Sequence, residues 1–316
     1  MSFPWFSIVV PAYNRPTQVA RAIRSVPDEP GIGVEILVVD DASTDDTSEA
    51  VRGLGDPRVR LLRHDRNRGP CPARNTAVAA ARGTWCVMLD SDFSLLPGAL
   101  PRLLEATSSA PPKVGNVVAR CRWDTGASSP VPPLAAGIVD EAAYLAWLDT
   151  ATVPEYFNCV RRTVFEDLAY PDSRAWESEF HFGLAARWRL LALDDEMVLI
   201  HTDAPNRLTT SAGAAARARL RRDAPDQQAS LDRIWGRHGL ALSRHAPGEA
   251  HRVLRRRALQ AFLTGARFRG TGAALAALRR RPFDLGTWAI VAAGMAGPGV
   301  LAGLVTARRQ RVDAVG

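Results

Sequence analysis

Short apolar runs alternate with helical patterns through the first part of the chain. The apolar runs predict four buried strands, at Phe6 to Val10, Val34 to Val39, Val59 to Leu62 and Cys86 to Leu89. Apolar residues at helical spacing predict intervening helices, at Val19 to Val26, about Asp45 to Leu54, and Pro72 to Ala81. Strands that alternate with helices predict an α/β fold with a mostly parallel sheet flanked by helices, which binds ligands at the carboxyl ends of its strands.

The pattern changes after residue 121. Residues 122–155 include Pro130, Pro132 and Pro133 and predict an excursion over the sheet edge. Mixed structure returns in residues 156–210, and the following sequence is rich in Ala and Arg and helical throughout. We therefore predict two domains, with residues 1–210 forming the α/β domain and residues 211–316 forming a helical extension.

One stretch of the extension is long and apolar. Leu285 to Thr306 contains no charged residue, which meets the length criterion for a membrane span. Several glycines and the Gly297-Pro298 pair instead favour two short helices, which would pack on the domain or lie at a membrane interface. The pattern leaves all three arrangements open and favours packing.

Charge is distributed unevenly along the chain. The net charge is +7, and residues 212–316 contain 19 Arg and 6 acidic residues, which gives this part +13 and leaves −6 for residues 1–211. A basic extension suits an anionic membrane surface. Because no nucleic-acid motif accompanies it, we expect no nucleic-acid partner.

The cysteines and the N-terminus indicate the compartment. Cys71, Cys86, Cys121 and Cys159 form no C-x-x-C pair, which argues against a zinc ribbon and indicates a reducing environment. The N-terminal apolar run is too short for a signal peptide and lacks a basic region before it. We expect a cytoplasmic protein that is peripheral at the inner face of the membrane.

Polar residues follow the first two strands. Pro11, Tyr13 and Asn14 end the first strand, where the aromatic ring either stacks on a nucleobase or simply closes the strand. Asp40 and Asp41 end the second, and adjacent carboxylates need a compensating arginine or ligand N–H groups. The pair therefore predicts a ligand site, whereas helix capping is sufficient to explain the following Ser43 and Asp45.

A third acidic segment, Asp90-Ser91-Asp92, follows the fourth strand. Asp90 and Asp92 stand at the mouth of this buried strand with alternate orientation, so both carboxylates are expected to reach one ligand from different sides. Oxygen ligands of this kind suit Mg²⁺ or Mn²⁺ on a diphosphate. Arg74 is expected to reach a phosphate or Asp41.

Together these segments resemble the family 2 glycosyltransferases of the GT-A fold, whose pattern runs VVPxYN, EILVVDDxSxDxT and NxGxxxARNxGxxxAxGxxxxxLDxD. The resemblance spans about residues 7–92, with Phe93 where the family often has another Asp. It implies that Tyr13 and Asp41 contact the nucleobase, Asp40 and Arg74 support the nucleotide, Asp90 faces the ribose and Asp92 binds a divalent cation. It also implies that Pro11, Asn14 and Ser91 line this nucleotide-sugar site.

Looser similarity extends to residue 209. Glu177 matches the family's general base, with Glu179 as the second candidate; the alternative is that both acids cap and solvate a helix. His201 matches a histidine that often completes the metal shell, and a surface or packing role for it is equally open. Asn206 to Thr209 matches the loop that closes the donor site.

The resemblance implies an inverting, metal-dependent, non-processive transferase, because the Q-x-x-R-W motif of processive synthases is absent. UDP or dTDP sugars are favoured as donors, and the acceptor is a glycan, a lipid-linked glycan or a small natural product. The aromatic residues Trp123, Trp147, Tyr156 and Phe157 form either an acceptor wall or a packed edge. The alternative function is a non-catalytic sugar-nucleotide-binding or membrane-adaptor protein; a nucleotidyltransferase would show a G-x-G-x-R loop.

Overall fold

The computed structural model describes residues 4–204 and 213–313, without the side chains of 213–215 and 308–313. Its contacts divide the chain into two compact units. Unit 1 comprises residues 1–173 and 180–205, and unit 2 comprises residues 174–179 and 206–316. Asn206 to Thr209 and the predicted domain boundary at residues 210 and 211 lie outside the described residues, and that boundary stays a prediction.

The strands in the described residues are β1 Phe6–Ala12, β2 Val34–Asp40, β3 Val59–Arg63, β4 Trp85–Met88, β5 Phe93–Leu95, β6 Val114–Trp123, β7 Ser128–Ser129, β8 Gly137–Val139, β9 Phe157–Arg161 and β10 Arg189–Ile200. The helices are α1 Pro16–Arg24, α2 Thr47–Arg52, α3 Pro70–Ala80, α4 Ala99–Ser108, α5 Glu141–Thr150, α6 Ser178–Arg187, α7 Gly213–His245, α8 Pro247–Leu263, α9 Arg267–Leu278, α10 Leu285–Ala296 and α11 Pro298–Asp313.

All ten strands belong to one sheet of unit 1, in the order β3-β2-β1-β4-β9-β6-β10-β5, with β7 on β6 and β8 on β10. The pairs β3/β2, β2/β1, β1/β4 and β6/β10 are parallel. Strand β9 lies antiparallel between β4 and β6, so β4, β6 and β10 still point the same way. The carboxyl ends of β1, β2, β4 and β10 consequently meet at one edge.

The predicted α/β architecture is confirmed, and its first four strands fall where the apolar runs are. They are parallel, as predicted, whereas the second half of the sheet is mixed because β9 and β5 run against their neighbours. The core is formed by the buried faces of these strands and by α1 and α4, including Phe6, Ile8, Trp85, Leu100 and Leu103. The predicted excursion contains β7, β8 and α5.

Helix α2 is shorter than predicted and begins at Thr47 rather than Asp45. Ser43 is not its cap, because the Ser43 hydroxyl accepts a hydrogen bond from the Asn14 amide at 2.9 Å. Asp45 does support the helix start, since its carboxylate accepts from the Thr47 amide at 3.1 Å. The turn between β2 and α2 is therefore built by contacts to the neighbouring strand end.

Unit 2 consists mainly of helices packed around Phe262, which is fully buried on α8. A Cβ added at Gly270 or Gly294 would lie 2.9 Å and 2.4 Å from the Phe262 ring. These two glycines thus let α9 and α10 pack directly against that ring. The apolar stretch from Leu285 is split at Gly297, which has φ of +128°, so the prediction of two short helices broken at this point is confirmed.

Within residues 4–204 and 213–313, no helix combines the length and the hydropathy that a membrane span would require.

Candidate active site

Asp40, the last residue of β2, is fully buried and held by three hydrogen-bond donors. Its carboxylate accepts hydrogen bonds from the Ser43 amide at 2.8 Å, from the Ser48 hydroxyl and from Arg63 Nη1 at 3.0 Å. Burial acts to raise the pKa of Asp40, but the hydrogen bonds from Ser43 and Ser48 and the charge of Arg63 hold that pKa below its usual range. Asp40 thus fixes the β2–α2 turn from within the protein.

Asp41 is also buried, and its carboxylate organises the loop that enters α3. One oxygen lies 2.7 Å from His64 Nδ1, and the two oxygens accept from the amides of Arg68 at 2.9 and 3.1 Å and Gly69 at 2.7 Å. Gly69 has φ of +100°, a conformation that favours glycine. Compensation for the adjacent carboxylates therefore comes from the protein itself.

The end of β1 is tied to the same turn. Asn14 has φ of +50°, and its side-chain oxygen accepts from the Thr44 amide at 2.8 Å. Pro11 is the next to last residue of β1, and Tyr13 follows the strand half-buried. The structure thus brings these three predicted residues to the edge at which Asp40 and Asp41 lie, because β1 pairs with β2 through Ala12 and Asp40.

Asp90 and Asp92 lie in a tight turn rather than on a continuing strand. Strand β4 ends at Met88, and the Phe93 amide donates to the Asp90 carbonyl at 2.9 Å. The predicted alternation of the two carboxylates along a strand is wrong, because the apolar run through Leu89 outlasts the sheet pairing. Phe93, which stands where the family often has another Asp, is buried in the core.

Two arginines accompany this turn. Arg74 Nη2 lies 2.6 Å from Asp90 Oδ1, and Arg15 Nη1 lies 3.2 Å from Ser91 Oγ and 3.3 Å from Asp92 Oδ1. Asp90 keeps about a third of its side chain exposed (33%), whereas Ser91 and Asp92 are largely buried. Arg74 therefore contacts Asp90, while the donors on Asp41 are His64 and main-chain amides.

His201 follows β10, and its amide donates to the Asp92 carbonyl at 2.9 Å, which joins the two predicted metal ligands. Its Nε2 lies 2.9 Å from Ser94 Oγ, a contact of the kind that orients an imidazole ligand. Burial and the nearby Arg21 charge lower the pKa of His201, which favours the neutral form that binds metals.

The carboxylate of Asp92 and the imidazole of His201 are donor types that a divalent cation accepts. No group of three or more His, Cys, Asp or Glu suited to a metal occurs among the described residues. One carboxylate and one imidazole nevertheless suffice for Mg²⁺ or Mn²⁺, which keep several waters and take further ligands from substrate phosphates.

The two candidate bases differ in their surroundings. Glu179, on the first turn of α6, accepts from Arg233 Nε at 2.7 Å and Nη2 at 2.9 Å and from the Ser230 hydroxyl at 2.9 Å. A proton on Glu179 would disrupt this bidentate pair, so its contacts are those of a structural residue in unit 2. Glu177 is half-buried directly before α6.

The aromatic residues of the excursion separate into two groups. Phe157 is buried in the sheet core and cannot form a wall. Trp147 packs between Tyr144 and Tyr156, with ring centroids 5.7 and 5.8 Å apart, and the two tyrosine hydroxyls lie 3.1 Å apart. Trp123 is partly buried against the core and donates to Ser129 at 3.1 Å. Packing therefore explains most of this cluster.

Comparison with known proteins identifies the family. The family model described as Glycosyl transferase family 2 matches residues 7–166, about half of the 316-residue chain. The chain belongs to glycosyl transferase family 2. The resemblance in the three motifs to this family is thereby confirmed.

Curated relatives match this family 2 chain over about a third of its length. Succinoglycan biosynthesis protein ExoO of Rhizobium meliloti is 47% identical over 107 residues, which cover 34% of this chain and 31% of that protein. The GalNAc(5)-diNAcBac-PP-undecaprenol beta-1,3-glucosyltransferase of Campylobacter jejuni is 35% identical over 105 residues, 32% of this chain and 34% of that protein. The chain thus spans about a third of each relative.

Solved structures of similar fold cover most of the chain. TarS 1-349 of S. aureus, in complex with UDP-GlcNAc, superposes with a TM-score of 0.58 at 17% identity, over 88% of this chain and 92% of TarS. The mannosyltransferase PcManGT of Pyrobaculum calidifontis, in complex with GDP-Man and Mn²⁺, gives 0.53 at 20% identity, over 96% and 87%. These likenesses confirm the GT-A fold.

Two residues that sequence analysis did not single out, His64 and Arg15, contact predicted site residues. His64 contacts Asp41 through Nδ1 and the Thr76 hydroxyl through Nε2, at 2.7 and 2.9 Å. Arg15 reaches Ser91 and Asp92 from the end of β1. The only signal for Arg15 was a basic residue directly after the first motif; nothing local marked His64.

The hydrogen bonds of the Asp40 carboxylate with Ser43, Ser48 and Arg63 predict that Asp40 stabilises the fold. Asp40→Asn removes a buried anion that three donors hold, so we expect the free energy of unfolding to fall by roughly 2 kcal/mol. Asp46→Asn is the matched control, because Asp46 is exposed and its side chain caps no helix amide; we expect a change within about 0.5 kcal/mol. Urea unfolding measures both, and equal stability of Asp40→Asn and wild type would contradict the assignment.

Proposed function

We propose that this chain is an inverting, metal-dependent, non-processive glycosyltransferase that moves one sugar from a nucleoside-diphosphate sugar to an acceptor hydroxyl. The donor is a UDP or dTDP sugar. The observation that carries the proposal is the Asp90-Ser91-Asp92 turn with its two arginines, beside the strand ends that hold Tyr13 and Asp41. A sugar nucleotide requires groups of these kinds. A carboxylate and an imidazole bind the cation, an aromatic ring contacts the base, and cationic groups offset the phosphate charge.

The relatives support a role in envelope polysaccharide synthesis. ExoO is named for succinoglycan biosynthesis, and the Campylobacter relative is named for glucosyl transfer to an undecaprenol-linked glycan. TarS was solved with UDP-GlcNAc and PcManGT with GDP-Man and Mn²⁺, which supports a sugar-nucleotide donor and a divalent cation. We propose a glycan or lipid-linked glycan as the acceptor, ahead of a small natural product.

In the proposed mechanism, Tyr13 and Asp41 hold the base, Asp40 and Arg74 support the nucleotide, and Asp90 binds the ribose. Pro11, Asn14 and Ser91 shape this site. Asp92 and His201 hold the cation, which when bound stabilises the charge of the leaving diphosphate.

The bond changes follow from a single displacement. Glu177 takes the proton of the acceptor hydroxyl as that oxygen bonds to C1 of the sugar. The C1–O bond to the diphosphate breaks with its electron pair on the leaving oxygen, and the configuration at C1 inverts. Positive charge from Arg15 and Arg74 offsets the charge on the nucleoside diphosphate. Glu179 is not proposed as the base, because Arg233 and Ser230 occupy its oxygens.

Calorimetric titration of UDP, dTDP and GDP with and without Mn²⁺ tests the donor site. We expect one nucleotide to bind with Mn²⁺, Asp92→Ala to weaken binding at least about tenfold, and Glu177→Gln to leave it unchanged. Hydrolysis of the matching sugar nucleotide should fall about 100-fold or more in Glu177→Gln, because a general base contributes that much. Glu179→Gln is the matched control and should retain turnover below its melting temperature.

No binding of any nucleotide would contradict the donor site. Tight, Mn²⁺-dependent binding without any turnover by the wild type would instead support the alternative of a non-catalytic sugar-nucleotide-binding protein.

We also propose that unit 2 contacts the inner face of the membrane. Helix α10 has no charged residue, yet only Thr287 and Gly294 on it are buried, and Leu285 and Met295 are 80% and 52% exposed. Exposed Arg279, Arg280 and Arg281 lie just before it, separated from its first residue by residues 282–284. An apolar helix face beside arginines matches a leaflet of anionic lipid.

Sedimentation with vesicles tests this contact. Wild type should sediment with phosphatidylcholine vesicles that contain phosphatidylglycerol, less so at high salt, and the Leu285→Gln/Met295→Gln variant should sediment several-fold less. Leu240→Gln is the control, since Leu240 is 90% exposed on α7, away in sequence from α10. Wild type that stays in the supernatant would contradict the proposal.

A further inference from the structure

The three residues that follow β10 are held by side chains of other elements. Strand β10 ends at Ile200, which pairs with Phe93 of β5 and Trp123 of β6. The His201 amide still donates to the Asp92 carbonyl at 2.9 Å, but the strand pairing does not extend further. Side-chain contacts are therefore needed to fix residues 201–203.

The first of these contacts acts on the imidazole ring. Ser94 lies on β5 opposite Leu199, and its hydroxyl lies 2.9 Å from His201 Nε2. A neutral imidazole binds a cation through the nitrogen that carries no proton, and the hydrogen bond of the other nitrogen sets which one that is. Donation from Nε2–H to the Ser94 hydroxyl leaves Nδ1 as the nitrogen for a cation.

The second contact holds the main chain on both sides of His201. Asp124, directly after β6, accepts from the Thr202 amide at 2.7 Å and from the Thr202 hydroxyl at 3.0 and 3.1 Å. The Asp124 amide in turn donates to the Ile200 carbonyl at 3.0 Å. Asp124 thus binds the residue before His201 and the residue after it.

The third contact is an ion pair. Arg21 on α1 donates from Nη1 and Nη2 to the two carboxylate oxygens of Asp203, each at 2.8 Å. A bidentate arginine fixes orientation as well as distance, which a lysine cannot do. The two side chains are 30% and 50% exposed, and exposed pairs add little to global stability. Its effect is therefore local, on the segment that contains His201.

We propose that Arg21, Ser94 and Asp124 are positioning residues that fix the His201 imidazole for a divalent cation. Each comes from a different element of unit 1, so the segment is held from three sides. A cation with two protein ligands depends on their spacing, because water replaces a ligand that is out of place. The inference rests on the proposed cation site at Asp92 and His201 and deepens it, by naming groups that act through His201.

Three variants weaken one contact each without changing the net charge. Arg21→Lys keeps the positive charge and loses the bidentate geometry. Ser94→Ala removes the hydroxyl at His201 Nε2. Thr202→Val removes the hydroxyl that donates to Asp124. Thermal unfolding checks that each variant folds.

Arg102→Lys is the matched control. Arg102 also pairs with a carboxylate of β10, since its Nε lies 3.0 Å from Asp195 Oδ2 in the middle of that strand. Its side chain is 36% exposed, close to the value for Arg21. The same chemical change is thereby made at a similar ion pair, away in sequence from residues 201–203.

Amide hydrogen exchange of the metal-free chain measures how firmly the segment is held. We expect exchange in residues 201–203 to rise several-fold in Arg21→Lys and Thr202→Val, because each loses a contact that keeps the segment closed. Arg102→Lys should exchange as wild type does. Unchanged exchange in both variants would overturn the proposal.

Titration of Mn²⁺ in the presence of UDP or dTDP, with the free ion followed by electron paramagnetic resonance, measures the consequence for the cation. We expect Mn²⁺ affinity to fall about tenfold in Ser94→Ala, the range for a residue that orients a metal-binding histidine. It should fall several-fold in Arg21→Lys and Thr202→Val and stay unchanged in Arg102→Lys. Nucleotide affinity without Mn²⁺ should stay unchanged in all of them, and an equal loss there would overturn the positioning role.

The wild-type titration separates this inference from the proposed function. Wild type that binds no Mn²⁺ with either nucleotide would contradict the proposed cation site, and this inference with it. Wild-type binding that all three variants share with equal affinity would overturn the positioning role alone and leave the proposed transferase in place.

Discussion

Like charges gathered at one sheet edge are the constraint on which unit 1 depends. Asp40 and Asp41 follow β2, and Asp90 and Asp92 follow β4, with β1 between these two parallel strands. Carboxylates held this close destabilise a fold unless cations or N–H groups compensate them. The structure compensates the two pairs differently. Asp40 and Asp41 are enclosed by donors of the protein, whereas Asp90 contacts Arg74 and Asp92 contacts Arg15.

The two carboxylate pairs therefore serve different purposes. Asp40 and Asp41 connect the end of β2 to the end of β3 and to the start of α3, through Arg63, His64 and the amide of Gly69, and so fix the positions of β2, β3 and α3 relative to one another. The turn at Asp90 is more open and is built from residues that a charged ligand can engage. A preorganised binding site needs rigid support beside the groups that contact the ligand. Asp40 and Asp41 provide the support, and the turn at Asp90 provides the ligand contacts that we propose.

The parallel half of the sheet could be predicted because its strands are continuous apolar runs with helices between them. The place of β9 could not, because it lies between β4 and β6 through pairings such as Val87 with Cys159, which are distant in sequence. The turn at Asp90 was missed for a related reason, since hydropathy continues through Leu89 although the pairing stops. Contacts such as His64 with Asp41 have no local signature at all.

In unit 2 the helices were predictable from composition, whereas their packing was not. The glycines that weakened the membrane-span interpretation include Gly294, whose missing Cβ makes room for Phe262. A cavity among α7, α8 and α9 arises from three helices meeting, which no pattern within one helix reveals.

The central claim is that the edge at Asp41 and Asp92 binds a nucleoside diphosphate through a cation. A crystal structure with UDP or dTDP and Mn²⁺, with anomalous diffraction recorded at the manganese edge, tests it most directly. The account predicts a manganese peak next to the Asp92 carboxylate and His201, with the base against Tyr13 and Asp41. Nucleotide density elsewhere, or manganese bound away from Asp92, would contradict it.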